Sequence, residues 1–192
     1  MISDEALMLE FQAGSLVAFE ELFARYRKPL YGFFARRLNN PERAEDLAQE
    51  TFLAVIRAVS RYEPRALVRT YLYSIALKLL AAEGRKPLTN SNSVAQSVPE
   101  LQTDGTPECV LWIRQAMEKL DGPEREILML REYEQLSYSE IAELLRIPIN
   151  TVRSRLFRSR LALKSYLESE SKTNSALRAI PRQPHPERRG IQ

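Results

Sequence analysis

The chain has 192 residues, 44% hydrophobic and 28% charged, which suits a soluble globular protein of one or two small domains. Its 6 glycines and 8% aromatics argue against a turn-rich β-sandwich or barrel, and its single cysteine, Cys109, excludes an intrachain disulfide and suits a reducing cytoplasm. A net charge of only +3 excludes a chain that wraps nucleic acid along its whole length.

Met1 to Glu10 lacks the basic stretch and apolar run of a signal peptide. Phe19, Leu22, Phe23, Tyr26, Leu30, Phe33 and Phe34 then form one helical stripe. Pro29 falls inside it, which predicts a kink or a break between two helices. Asn40-Pro41 marks a turn and a helix start. The next stripe is Ala44, Leu47, Ala48, Phe52, Val55, Ile56 and Val59, with Glu42, Asp46, Gln49, Glu50 and Arg57 on the opposite face. Periodicity lapses from Arg61 to Arg69, around Pro64, which predicts a loop. Tyr71, Leu72, Ile75, Ala76, Leu79 and Leu80 form a third stripe, ended by Gly84. The apolar stretch Ile75 to Ala82 contains Lys78 and is far shorter than the roughly 20 residues of a membrane span, so no membrane insertion is expected.

Pro87 to Glu108 carries no basic residue and is rich in Ser, Asn, Thr and Pro, the composition of a flexible acidic linker. A second domain follows over 109–168. Val110, Ile113, Ala116, Met117 and Leu120 make a short stripe, Asp121-Gly122-Pro123 a turn, and Ile127, Leu128 and Leu130 the next helix. Residues 169–192, with Pro181, Pro184, Pro186 and scattered arginines, read as a disordered basic tail. The expected fold is all-α: two small helical domains, 1–86 and 109–168, joined by a flexible linker.

The sharpest local pattern is Ser137-Tyr138-Ser139-Glu140, a capping box. Ile141, Ala142, Leu144 and Leu145 give a short amphipathic helix, Arg146-Ile147-Pro148-Ile149 a turn, and Asn150 an N-cap for a helix over 151–167. Two short helices around such a turn make a helix-turn-helix. At roughly 100° per residue, Val152, Leu156, Ser159 and Leu163 face the core. Arg153, Ser154, Phe157 and Arg158 face outward near the N-terminal end, the part that enters the major groove and meets base edges. Asn150, Thr151, Arg155 and Arg160 are placed for phosphates. From Arg146 to Lys164 there are six basic residues and no acid. A merely solvated basic face would explain the charge but not the capping box and turn beside it.

These strings resemble a bacterial RNA polymerase sigma factor of the extracytoplasmic-function (ECF) group of the sigma-70 family, over roughly Phe19 to Leu167. The first half carries Phe19-Glu20-Glu21-Leu22-Phe23, Tyr26, Leu30-Tyr31 and Ala44-Glu45-Asp46-Leu47-Ala48-Gln49-Glu50-Thr51-Phe52. The second carries Leu130-Arg131-Glu132, Leu136-Ser137-Tyr138-Ser139-Glu140-Ile141-Ala142 and Thr151-Val152-Arg153-Ser154-Arg155-Leu156. The resemblance implies that the first domain binds the β′ clamp of core polymerase through Asp46, Leu47, Gln49, Glu50 and an exposed or half-exposed Phe52. It implies that this domain handles the −10 element through Arg61, Tyr62, Arg65, Arg69, Tyr71 and Lys78. Basic groups beside an aromatic suit a single strand with an extruded base. The second domain would read the −35 element and sit on the β flap, and an anti-sigma factor is a further partner the family allows. The family usually has Gly-Ser-Phe-Arg-x-Trp where Ala66-Leu67-Val68-Arg69-Thr70-Tyr71 stands, Asn at Lys78 and Gly at Asn150.

An enzyme is not expected. His185 is the only histidine and lies in the tail; there is no metal-ligand spacing, no glycine-rich phosphate loop and no cofactor motif. Two alternatives stay open: a helix-turn-helix regulator that does not recruit core, and a sigma-like interaction protein without melting activity.

Overall fold

The computed structural model describes residues 2–38, 40–85, 113 and 115–178. Cys109, the linker 87–108, and tail residues 179–192 with His185 lie outside them. Every regular element among the described residues is a helix: α1 (Asp4–Gln12), α2 (Leu16–Ala35), α3 (Pro41–Ala58), a 3₁₀ turn (Val59–Arg61), α4 (Val68–Glu83), α5 (Gly122–Glu132), α6 (Tyr138–Leu145) and α7 (Ile149–Arg178). None is long and apolar enough to cross a membrane. The described residues within Met1–Thr103 and Met129–Arg153 form one compact unit, and those within Asp104–Leu128 and Ser154–Gln192 another.

In the first unit α1, α2 and α3 start on local side-chain caps. Ser3 accepts from the Ala6 amide, Ser15 from that of Ala18 and Asn40 from that of Arg43, with Pro41 in the first turn of α3. α1 was not anticipated; its Leu7, Met8 and Phe11 are buried, while Leu9 is exposed. Of the kink or break expected at Pro29, a break does not occur: α2 is one helix through it. The helix loses a backbone bond there, at a cost of about 3 kcal/mol. Burial of Tyr26, Leu30, Phe33 and Phe34 on both sides offsets it, at roughly 1.5–3 kcal/mol per large apolar side chain. On α3, Ala44, Leu47, Ala48, Phe52 and Val55 are buried as expected, and so is Thr51, whose hydroxyl donates to the Leu47 carbonyl. Ile56, assigned to the same stripe, is instead exposed. On α4 the buried set is Val68, Thr70, Leu72, Tyr73 and Ala76, and Gly84 caps the end.

In the second unit Ala116, Leu120, Ile127, Leu128 and Leu156 are buried. The Arg125 guanidinium donates to the carbonyls of Met117, Glu118 and Leu120, closing the helical residues before α5. The buried Ser159 hydroxyl donates to the Arg155 carbonyl (2.8 Å) and lies 3.2 Å from that of Glu124. α7 continues to Arg178, past both Leu167 and the expected order-to-disorder boundary at Ser169. Ser169 to Arg178 holds no proline or glycine, and the first helix breaker is Pro181.

Candidate nucleic-acid interface

The capping box forms in full. The Ser137 hydroxyl accepts from the Glu140 amide (3.2 Å), and the Glu140 carboxylate accepts from the Ser137 amide (2.8 Å). Ser137→Ala is expected to cost about 1 kcal/mol. The check is the urea midpoint at constant slope; an unchanged midpoint would show that the cap contributes nothing. α6 ends with Arg146 in the left-handed region (φ 54°), its amide bonded to the Glu143 carbonyl and that of Ile147 to the Ala142 carbonyl. The next helix begins two residues earlier than expected, at Ile149. The Pro148 carbonyl accepts from the amides of Thr151 and Val152. Asn150 is therefore inside the first turn and not the N-cap; its side chain accepts from Arg153 (3.2 Å).

α7 divides its residues by angle. Val152, Leu156 and Ser159 are buried, and Leu163 is half-buried. Arg153, Ser154, Phe157 and Arg158 are exposed, Phe157 at 69%. Arg158 meets Glu124 at 3.1 Å on the surface. Asn150 and Arg160 are exposed, while Thr151 and Arg155 are half-buried. Sequence reading missed Leu161, exposed one turn beyond Phe157. The i,i+4 spacing of these two large apolar residues was its signal.

Around the 59–71 segment the first unit holds a groove of about 790 Å³, lined by Arg61, Tyr62, Arg65, Tyr71 and Lys78 on one side and Glu143, Leu144 and Arg146 on the other. Five of the six residues assigned to the −10 element thus meet in one place. Arg61, Arg65 and Lys78 are exposed, and Arg65 pairs with Glu63. Tyr62 is buried, its ring 5.4 Å from that of half-buried Tyr71. Burial raises the pKa of both phenols, so both stay protonated donors. Tyr62 Oη and Thr70 Oγ1 are buried without a hydrogen-bond partner, and both residues line the groove. Nothing in the sequence singled out Thr70. The segment is pinned by Gln12, whose amide donates to the carbonyls of Val59 and Tyr62, both at 2.9 Å. The sixth residue, Arg69, turns to Glu140 instead, with Nε at 3.0 Å and Nη2 at 2.7 Å from one oxygen.

Asp46 and Gln49 are exposed and Glu50 half-exposed on α3. Arg43 orders this face, reaching Asp46 (3.5 Å), Glu50 (3.0 Å) and Glu83 (2.8 Å). Leu47 and Phe52 require correction. Leu47 is buried in the core, and the Phe52 ring packs against those of Phe19 and Phe23 at 6.3 and 4.8 Å. Neither offers a surface to a partner. Leu53 and Ile56 are the exposed apolar residues of α3.

Known proteins share this organisation. Residues 22–83 match the family model described as Sigma-70 region 2, and residues 111–163 the model described as Sigma-70, region 4. The RNA polymerase sigma-H factor of Pseudomonas aeruginosa is 31% identical over 182 residues, covering 86% of this chain and 94% of the relative. The ECF RNA polymerase sigma-E factor of Haemophilus influenzae is 30% identical over 185 residues, covering 87% and 96%. A chain in the structure of CnrH in complex with the cytosolic domain of CnrY has a similar fold, with TM-score 0.65, 24% identity and coverage of 86% and 97%. So does one in the co-crystal structure of the sigma factor RpoE with the anti-sigma factor NepR from Bartonella quintana, with TM-score 0.64, 20% identity and coverage of 78% and 96%. The chain therefore belongs to the sigma-70 family of RNA polymerase sigma factors, in its extracytoplasmic-function group.

Proposed function

We propose that this chain binds RNA polymerase core and directs initiation at specific promoters, with each contact made by a distinct surface. The exposed acidic and amide side chains of α3, Asp46, Gln49 and Glu50, dock on the β′ clamp, with Leu53 and Ile56 as apolar neighbours. The groove beside the 59–71 segment takes the single-stranded −10 element. Its unpartnered buried hydroxyls, Tyr62 Oη and Thr70 Oγ1, suit the polar edge of an extruded base. α7 enters the major groove at the −35 element with Arg153, Ser154, Phe157 and Arg158, while Arg155 and Arg160 flank it at phosphates. Region 2 occupies the domain 1–86 and region 4 the domain 109–168. The chain supplies no catalytic group and works in the cytoplasm, where an anti-sigma factor is a natural partner for it.

The observation that carries this reading is that one chain holds both a groove with nucleic-acid chemistry beside the polymerase-facing helix and a helix-turn-helix. The test adds the purified chain to core polymerase and a pool of genomic promoters. Promoter-specific transcripts and a stable complex with core are expected. Duplex binding with neither would instead identify a free-standing regulator. At residue level, Arg153→Ala should cost about 1–3 kcal/mol of duplex affinity and relax specificity at one base pair, while Arg155→Ala weakens all sequences alike. Equal losses across all sequences from both changes would refute the assignment of faces.

A further inference from the structure

α1 carries two polar side chains that reach the 59–71 segment at its two ends. Glu5 and Gln12 lie two turns, roughly 10 Å, apart on one face of the helix, with the buried Met8 between them. Gln12 spends both protons of its side-chain amide on the segment, one on the Val59 carbonyl and one on that of Tyr62, at 2.9 Å each. These carbonyls stand at the two ends of the 3₁₀ turn, where the Tyr62 amide also donates to the Val59 carbonyl (3.0 Å). Gln12 thereby fixes the point from which the Tyr62 ring leaves the backbone. At the far end, α4 begins without a cap of its own, because Leu67 offers no polar side chain. Val68 is 0% exposed, so its amide cannot turn to water. The Glu5 carboxylate accepts from that amide at 3.3 Å, and a negative charge there also suits the helix dipole. Glu5 lies close enough to the Tyr62 phenol to raise its pKa, after the larger effect of burial. α1 is itself fixed by its buried Leu7, Met8 and Phe11, with the Phe11 ring 4.8 Å from that of Phe19.

We propose that α1 is the brace of the −10 groove and that Gln12 and Glu5 are positioning residues for the single strand: they touch no base, but they set the Tyr62 and Tyr71 rings and the Tyr62 hydroxyl where an extruded base meets them. Tyr62 ends the turn that Gln12 holds, and Tyr71 follows in the first turn of the helix that Glu5 caps, so the 5.4 Å between the rings is set from α1. Residues 62–67 form no regular element, so without these bonds a strand would have to order the segment as it binds. A segment already held in place spares the strand that loss. The inference rests on the reading of the groove as the −10 site. It adds to that site two residues that are not in its wall.

The test uses the full chain in complex with core polymerase and a labelled single strand carrying the −10 element of a promoter selected from the genomic pool, read by fluorescence anisotropy. Gln12→Met keeps the length of the side chain and removes both donors. It should weaken strand binding about tenfold, the factor for two hydrogen bonds of ordinary net strength. Affinity for core, and for a duplex bearing only the −35 element, should not change. Equal losses in all three would mean a chain that is merely less folded, and would overturn the proposal. Because Gln12 acts through Tyr62, the two losses should not multiply: Tyr62→Phe should cost the Gln12→Met chain less than it costs the native chain. Losses that multiply in full would overturn the positioning role. Glu5→Ala gives a second reading that does not depend on the Gln12 variant. Charge alone predicts tighter strand binding once an acid is removed, whereas the brace predicts binding weaker by about threefold, one lost hydrogen bond. Glu5→Gln, which keeps an acceptor for the Val68 amide, should restore most of that loss. Tighter binding by the Glu5→Ala chain would overturn the brace. If Tyr62→Phe weakens the strand but Gln12→Met and Glu5→Ala do not, the groove stands and the brace fails. If Tyr62→Phe also changes nothing, the reading of the groove as the −10 site fails and the brace with it.

Discussion

Phe52→Ala is expected to destabilise the first unit by about 3–5 kcal/mol, the range for a buried aromatic cut back to alanine. The Phe52 ring meets Phe19 edge-on and Phe23 at 4.8 Å, and Phe19 in turn lies 4.8 Å from Phe11, so one truncation opens a cluster shared by α1, α2 and α3. Aromatic pairs contribute roughly 0.5–1.5 kcal/mol each beyond the area they bury. Against a total stability of roughly 5–15 kcal/mol, such a loss leaves a large unfolded fraction. Polymerase binding then falls for want of a folded surface, not for want of a contact. Asp46→Ala is the opposite case: Asp46 is exposed and pairs only loosely with Arg43 at 3.5 Å, so stability should stay within about 0.5 kcal/mol. Its effect should appear in affinity for core polymerase alone. Urea unfolding by circular dichroism and a core-binding titration on both variants separate the two. If Phe52→Ala kept its unfolding midpoint and still lost core binding, the ring would be a docking residue after all.

This contrast marks what the sequence could and could not reveal. Features set within a few residues were legible: the Ser137–Glu140 box, the Asn40-Pro41 start and the alternation of faces along 151–163 all follow from 3.6-residue geometry and local hydrogen bonds. Features set by distant partners were not. Pro29 reads as a breaker because its cost is local, whereas the burial of Phe33 and Phe34 that offsets it comes from other helices. Phe52 and Ile56 share one side of α3, yet Phe52 is covered by rings from α2 and Ile56 is left exposed. Glu140 shows the division within one side chain. Its bond to Ser137 is three residues long and visible in the string, while its bond to Arg69 spans 71 residues and is not. The same holds for the groove: Arg61, Tyr62, Tyr71 and Lys78 stood out by type, but Thr70 and Gln12 gain their roles only from where the chain carries them.

Leu156 and Phe157 are neighbours in sequence with opposite expectations. Leu156 is 1% exposed and Phe157 69%, because one step along a helix turns the side chain by roughly 100°. Leu156→Ala should cost about 2–5 kcal/mol of stability through lost burial and the cavity left behind. Phe157→Ala removes no core contact and should change stability by less than about 0.5 kcal/mol. If Phe157 meets a thymine methyl or a base edge, its loss should cost about 1–3 kcal/mol of duplex affinity at one position of the −35 element, as for a single mismatched pair. The checks are thermal unfolding of both variants and binding of the Phe157→Ala chain to a set of duplexes altered one base pair at a time. A specificity profile identical to the native one would remove Phe157 from the reading face and leave Arg153, Ser154 and Arg158 to carry it. Thermal midpoints lowered equally by both changes would mean that α7 is rotated from the orientation that places its basic residues toward DNA.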